Sequence, residues 1–325
     1  MNKRWQVTSI QILVCTVLAT MTLACSCSLR PPESTAHPGD YHPAWSPDGR
    51  QIAYTSVRGG EQTIRIVNVD EAGQDEGDDS TYITDGADPT WSPNGSQIAF
   101  QHEGDLYRID ADGSNRTRLT RDSGWNQAPA WSPDGQNIAF VSGRDHEGSE
   151  DVYEVHNSEV YIMDTDGRDS SRLTVSQTKN RTPAWSPDGQ WIAYYSSDGP
   201  NEAVIHVLNL ADAQADPENS SVSLTDGAAY DQEPVWSPDG QWIAFASNRQ
   251  GPADGNVNHG AIYVMASDGS EVRRITTSDL WASQPAWSPD GQWLAFSIKG
   301  EDDLGDITIM KLDGSELRCL TCVAE

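Results

Sequence analysis

Pro43-Ala-Trp-Ser-Pro-Asp-Gly49 runs on through Arg50-Gln51 into Ile52-Ala53-Tyr54, and the same pattern returns five more times along the 325 residues. Its tryptophans are Trp45, Trp91, Trp131, Trp185, Trp236 and Trp287. The matching triplets are Ile98-Ala99-Phe100, Ile138-Ala139-Phe140, Ile192-Ala193-Tyr194, Ile243-Ala244-Phe245 and Leu294-Ala295-Phe296. A period of this length means one supersecondary unit repeated in space. The centre of each copy is a turn. Proline presets φ at its second position and glycine supplies a site with φ > 0, so the chain reverses tightly between two strands. Asn94, where the other copies have Asp, serves the same turn.

A third apolar run follows, clearest in Val160–Met163 and Ile262–Met265, and after an Asp-Gly turn a fourth, as in Arg118-Leu119-Thr120 and Arg274-Ile275-Thr276. Four short strands form a sheet that cannot bury both faces alone; sheets packed around an axis bury them against one another. The expectation is therefore all-β: a six-bladed β-propeller of four-stranded antiparallel blades over residues 41–325. The repeated Trp is expected to be the large apolar wedge between blades, and the small Ala to permit close approach. No segment after the N-terminus has helical period. Every blade is complete in chain order, so the ring is expected to close by sheet packing alone.

The chain carries 21 basic against 49 acidic side chains, a net charge of −28. That excludes a phosphate-backbone partner, because too few cations exist to release counterions, and it disfavours adhesion to anionic lipid. Twelve Trp and ten Tyr exclude a disordered chain. Lys3 and Arg4 precede an apolar stretch, Ile10 to Leu23, too short to span a bilayer. Residues 1–24 therefore read as a signal peptide and 25–40 as a tether. Thr22-Leu-Ala-Cys25 is similar to the lipobox of bacterial lipoproteins, which implies lipidation at Cys25, export, and display on the periplasmic or cell-surface side with the membrane touched only through lipid. Cys27, Cys319 and Cys322 remain as disulfide candidates. Residues three apart in an extended strand lie about 10 Å apart, so a 319–322 bridge needs a turn; Cys27 joined to either of the others is the alternative.

The repeats resemble the TolB-type, WD-repeat-like propellers of bacterial exported proteins, a family that also includes blades of tricorn and prolyl-oligopeptidase-like peptidases. The likeness covers about residues 43 to 322. TolB itself, which works with the peptidoglycan-associated lipoprotein in the Tol envelope system, carries an α/β domain ahead of its propeller. Here the chain is expected to pass from tether to first blade without one, a TolB-like propeller lipoprotein. Some members are metal-dependent lyases acting on acidic oligosaccharides through channel histidines.

Two rows of positions are candidates for a site. Six places before the motif Trp lie Trp125, Tyr230 and Trp281, against Asp85 and Lys179; Tyr41 lies four before Trp45. Such aromatics suit stacking on sugars or peptide side chains. Three places before each Trp lie His42, Asp88, Ala128, Thr182, Glu233 and Gln284, a row expected to line the channel, where Asp88 and Glu233 suit a cation or basic group. Insertions at 143–158 and 248–259 carry His146, His156 and His259, but with no metal-ligand spacing. Asp110-x-Asp112-Gly113 and Asp164-x-Asp166-Gly167 resemble the start of a calcium loop. The sixth and twelfth positions of such a loop hold Asn115 and Arg121, or Asp169 and Val175, so these are read as turns and no cofactor is expected. There is no G-x-S-x-G elbow, H-E-x-x-H or P-loop. The expected function is non-catalytic recognition of an envelope protein, peptide or glycan, and the alternative is a metal-dependent carbohydrate lyase or hydrolase.

Overall fold

The computed structural model describes residues 39–70, 80–121, 124–145, 157–176, 178–199, 202–249, 260–277, 280–299 and 305–322. The leader, Cys25, Cys27 and the inserted histidines His146, His156 and His259 lie outside them.

Each motif copy ends an inner strand at its Trp: Gly39–Trp45, Ala87–Trp91, Gln127–Trp131, Lys179–Trp185, Asp231–Trp236 and Trp281–Trp287. The Ser-Pro-Asp-Gly turn then leads into an antiparallel second strand, and the chain meanders outward to short outer strands such as Thr117–Arg118 and Arg273–Arg274. The turns are fully used. In the first, Ser46 Oγ donates to Asp48 Oδ1 at 2.7 Å, Gln51 N donates to Ser46 Oγ, and Gly49 N donates to Ser46 O. Gly49 stands at φ 71°, where a side chain would be strained. In the second copy Asn94 accepts from Ser92 in Asp's place, at 2.9 Å.

The strands form a β-propeller of four-stranded antiparallel blades: four separate four-stranded sheets, and an eight-stranded sheet uniting the Trp45 and Trp287 runs. The union is a single parallel pair, Gly39 with Gly305. Closure by side-chain packing alone is thus corrected, since backbone also joins the ends. Related links occur between other consecutive sheets, from Gly86 N to Gln62 O, Asn126 N to Gly104 O, Asn180 N to Ser158 O and Ala282 N to Gly260 O.

Between consecutive sheets lie apolar clusters. Ile243, Phe245 and Tyr263 pack with Ile205 and Val207, and Ile52, Tyr54 and Val67 of the first run pack with Ile307, Ile309 and Leu320 of the last. The fully buried wedges are Phe100, Phe140, Phe245 and Phe296, from the second strands. The motif tryptophans are less buried than the sequence implies: Trp91 and Trp131 retain 8% and 9% exposure, and the other four are half-buried. The indole has a second use, which explains its place at the sheet edge. Trp45 Nε1 donates to Ala286 O, Trp91 to Ala44 O, Trp185 to Ala130 O and Trp287 to Val235 O, each tying one inner strand to another inner strand at 3.1–3.2 Å.

One element was absent from the sequence reading. Leu210–Ala215 is a helix capped by Asn209, whose side chain accepts from Ala211 N and Asp212 N. Six residues are too few to display a helical period, yet Ala213 is fully buried in the cluster that Leu210 packs against. At the other end of the chain, Cys319 is bonded to Cys322 with a Cα separation of 5.8 Å. The strand ends at Cys319 and the chain bends at Leu320 and Thr321. A bridge from Cys27 to either residue is therefore corrected.

Candidate functional site

Every inner strand carries the same irregularity. Between Tyr41 and Ala44 one extra residue is inserted relative to the partner strand, and the same register shift recurs at 87/90, 127/130, 181/184, 232/235 and 283/286. Within each bulge one residue has positive φ: His42 51°, Asp88 54°, Ala128 49°, Thr182 43°, Glu233 57° and Gln284 58°. None is glycine and each precedes proline, so every copy holds a conformation that costs of order 1 kcal/mol or more. A bulge re-aims its side chain. Here the six residues and their prolines line one small central cavity of about 140 Å3. The six positions three places before each motif Trp thus meet at one cavity.

Its polar members are wired in a chain. His42 Nδ1 lies 2.9 Å from Asp88 Oδ1, and His42 Nε2 lies 2.7 Å from Gln284 Nε2. Gln284 Oε1 accepts from His42 N and from Ser297 Oγ, and Gln284 N donates to Glu233 Oε2 at 2.7 Å. Asp88 N donates to Thr55 Oγ1. Burial pulls the imidazole of His42 toward its neutral form, but the ion pair with Asp88 and the charge of Glu233 outweigh it and raise its pKa above 6.5. The amide of Gln284, as oriented, suits a neutral ring; a carboxylate at 2.9 Å outweighs that dipole. For Asp88 burial acts upward, but the charge and hydrogen bond of His42 prevail and hold its carboxyl below the usual value. Glu233 has no such direct partner, so burial pushes its carboxyl up against the weaker pull of His42 and the Gln284 amide. Two carboxylates thus share one imidazole. The cavity is open, and 37% of the His42 side chain is exposed to solvent.

A wider cleft of about 480 Å3 adjoins the channel wall. Tyr41, Tyr230, Trp281, Glu233 and Gln284 line it together with Gln232, Asn248 and Lys299. Glu233 and Gln284 thus face both cavities. Tyr230 is held edge-on to Tyr195 at 6.5 Å, and its amide donates to Asn248 Oδ1. The Tyr41 ring lies on the closing backbone pair: a Cβ on Gly305 would come within 2.7 Å of it, which is why glycine stands there. Trp125 does not join this group. It is 38% exposed and packs over Gly104, so the aromatic row divides into three that converge and one that stands apart.

Sequence reasoning missed buried acids at the start of inner strands. Asp40, 1% exposed, accepts from Ser56 Oγ and pairs with Arg58 at 3.0 Å. Asp231, equally buried, accepts from Ser247 Oγ and Arg249 at 2.5 and 2.8 Å. In the Trp131 run Arg144 likewise donates to Ser142 Oγ and to Asn126 Oδ1, but the Ser142 hydroxyl donates to Gly124 O. The signal was legible as Ser-x-Arg eleven and thirteen places after Trp45, Trp131 and Trp236. Arg144 and Arg249 also cover the rings of Phe140 and Phe245 at 5.1 and 5.0 Å. In the Asp-x-Asp-Gly turn, the Asp110 and Asp112 carboxylates accept from Asn115, Gln97 and Ser114.

Blades of this construction, around a proline-lined cavity with a cleft beside it, define a β-propeller. The chain matches the family described as TolB beta propeller domain over residues 39–159 and 201–324, and it belongs to that family. It is 31% identical over 124 residues to the Tol-Pal system protein TolB of Desulfosudis oleivorans, covering 38% of this chain and 24% of that protein. It is 33% identical over 116 residues to an uncharacterized peptidase of Bacillus subtilis, covering 36% and 17%. The chain thus spans less than a third of the length of these relatives. TolB of Acinetobacter baumannii shares the fold with a TM-score of 0.60 at 21% identity, over 87% of this chain and 63% of that one.

Proposed function

We propose that this protein is a closed six-bladed propeller that binds an envelope protein, peptide or glycan without catalysis, through the cleft of Tyr41, Tyr230 and Trp281. The single observation that supports it most is the convergence of those three rings with Glu233 and Gln284 on one cavity. Aromatic faces supply area at low entropic cost, and the amides and carboxylate beside them give direction. Closure into six blades is supported by the Gly39–Gly305 pair and by Trp45 reaching back to Ala286. An exported chain tethered through lipid at Cys25 is the setting this reading assumes, on the lipobox-like residues of its N-terminus. Among the described residues no helix is long and apolar enough to cross a membrane. The Tol-Pal name of its relative adds that a protein partner of the envelope belongs to the same reading. No resident cofactor is part of it.

The test compares the parent chain with Tyr230→Ala/Trp281→Ala as bait for detergent-solubilised envelope, with captured molecules identified by mass spectrometry and retitrated singly. Expected is a ligand bound by the parent and weakened at least tenfold in the double variant, with Trp125→Ala unchanged. A ligand held equally by both would reject the cleft. Turnover of acidic oligosaccharides by the purified protein would replace binding with catalysis.

A further inference from the structure

The C-x-x-C pair at the chain's end offers two sulfurs, half of a tetrahedral metal site. Folding brings a third donor. Asp306, on the strand Gly305–Lys311, places a carboxylate oxygen beside Cys319 and Cys322, and the three donor atoms lie within 4.8 Å of one another. The bend between the cysteines turns both sulfurs to one side, where an extended strand would separate them. Cys322 N donates to Cys319 Sγ at 3.0 Å, and an amide aimed at sulfur favours its thiolate. Cys322 is exposed and the other two are half-buried, so a reductant and an ion can both reach the corner. The donors are also held without the sulfur–sulfur bond: Leu320 is buried against the first sheet, and Ile307 N donates to Thr321 Oγ1.

We propose that this corner is a redox-gated site for a soft divalent cation, with zinc bound by Cys319, Cys322 and Asp306 and water in the fourth position. In the oxidised state the sulfurs are bonded to each other and no metal binds. A phosphine reductant is oxidised to its oxide with oxygen from water, its two electrons break the sulfur–sulfur bond, and the two protons of that water complete two thiols. A dithiol instead gives its own two protons and closes to a disulfide. Metal binding then expels both protons as the thiolates form. Thiolates select zinc or cadmium over calcium and magnesium. The strongly acidic chain favours any cation's approach, but the sulfurs set the choice. The disulfide closes only the bend between Cys319 and Cys322, whereas the metal, through Asp306, ties that outer segment to the neighbouring strand Gly305–Lys311.

The test uses the full chain with Cys15, Cys25 and Cys27 replaced by Ser, reduced with a phosphine and titrated with cadmium, following thiolate-to-metal charge-transfer absorption. Expected is a band that saturates at one equivalent in the reduced protein, is absent in the oxidised protein, is displaced by zinc and is untouched by magnesium. Asp306→Asn should keep the band and bind about tenfold or more weakly, the scale of a lost metal-site partner. Cys322→Ser should abolish it. Melting curves of each reduced protein, with and without metal, separate binding from folding. The proposal falls if the reduced parent gives no saturable band, if Asp306→Asn binds as tightly as the parent, or if the reduced parent is unfolded and metal does not restore it.

Discussion

The two ends of each inner strand follow opposite rules. At the Trp end, each copy repeats one Ser-Pro-Asp/Asn-Gly turn with one set of bonds, and even the change to Asn94 leaves the pattern intact. At the other end the backbone is as uniform, with six bulges and six positive φ angles, but the side chains are His, Asp, Ala, Thr, Glu and Gln. Identical geometry with varied chemistry is how a repeat scaffold builds an asymmetric site. The turns supply folding; the bulges supply difference.

The largest expected effect breaks the scaffold side of this contrast. Phe245→Ala should cost about 3–5 kcal/mol, because the ring is fully buried between sheets. Trp236→Ala should cost less, since that indole is half-buried. Denaturant unfolding of both variants checks the order, and a larger loss at Trp236 would restore the indole as the principal wedge.

A smaller effect probes the channel by pH. The folded pKa of His42 is raised above its unfolded value of 6.5, so its stabilising contribution is complete below 6.5 and lost as pH climbs through the folded value. Asp88 is lowered, so its contribution is present above 3.8 and lost as pH falls through its folded value. The pair is therefore strongest on the acidic side of neutrality. Glu233, raised, works against stability as it ionises. Melting temperature should decline from pH 6.5 upward in the parent, and this decline should be missing in His42→Gln. Parallel curves for the two proteins would show that the pair carries no linked proton.

The smallest effect isolates the strained backbone. Ala128 holds the left-handed bulge with no polar group to present, so Ala128→Gly should be neutral or stabilise by up to about 1 kcal/mol. The same exchange at Ala139, buried in a regular strand, should destabilise by about 0.5–1 kcal/mol or more. Equal losses at both positions would mean that the bulge is not strained.

The sequence disclosed the turns, the inner strands and the channel row, because all three are set by spacing from a repeated Trp. It did not disclose the bulges: a residue before proline is expected to avoid the left-handed region, and only tertiary packing imposes it. Nor could spacing tell that Tyr41, Tyr230 and Trp281 meet while Trp125 rests on Gly104, since convergence depends on where neighbouring sheets stand. The buried Asp231 with Ser247 and Arg249 was written plainly, but its residues lie sixteen or more places apart. Ser-x-Arg alone reads as solvated loop. The Gly39–Gly305 pair joins positions 266 apart and leaves no local pattern.

Hydrogen exchange of the protein, with and without any ligand captured through the proposed cleft, compares the two ends directly. Slowed exchange at residues 230–233 and 281–284, with the Ser46–Gln51 turn and its counterparts unaltered, is the expected result. Protection confined to those turns, with the bulged ends exchanging as freely as before, would place binding on the wrong side of the ring.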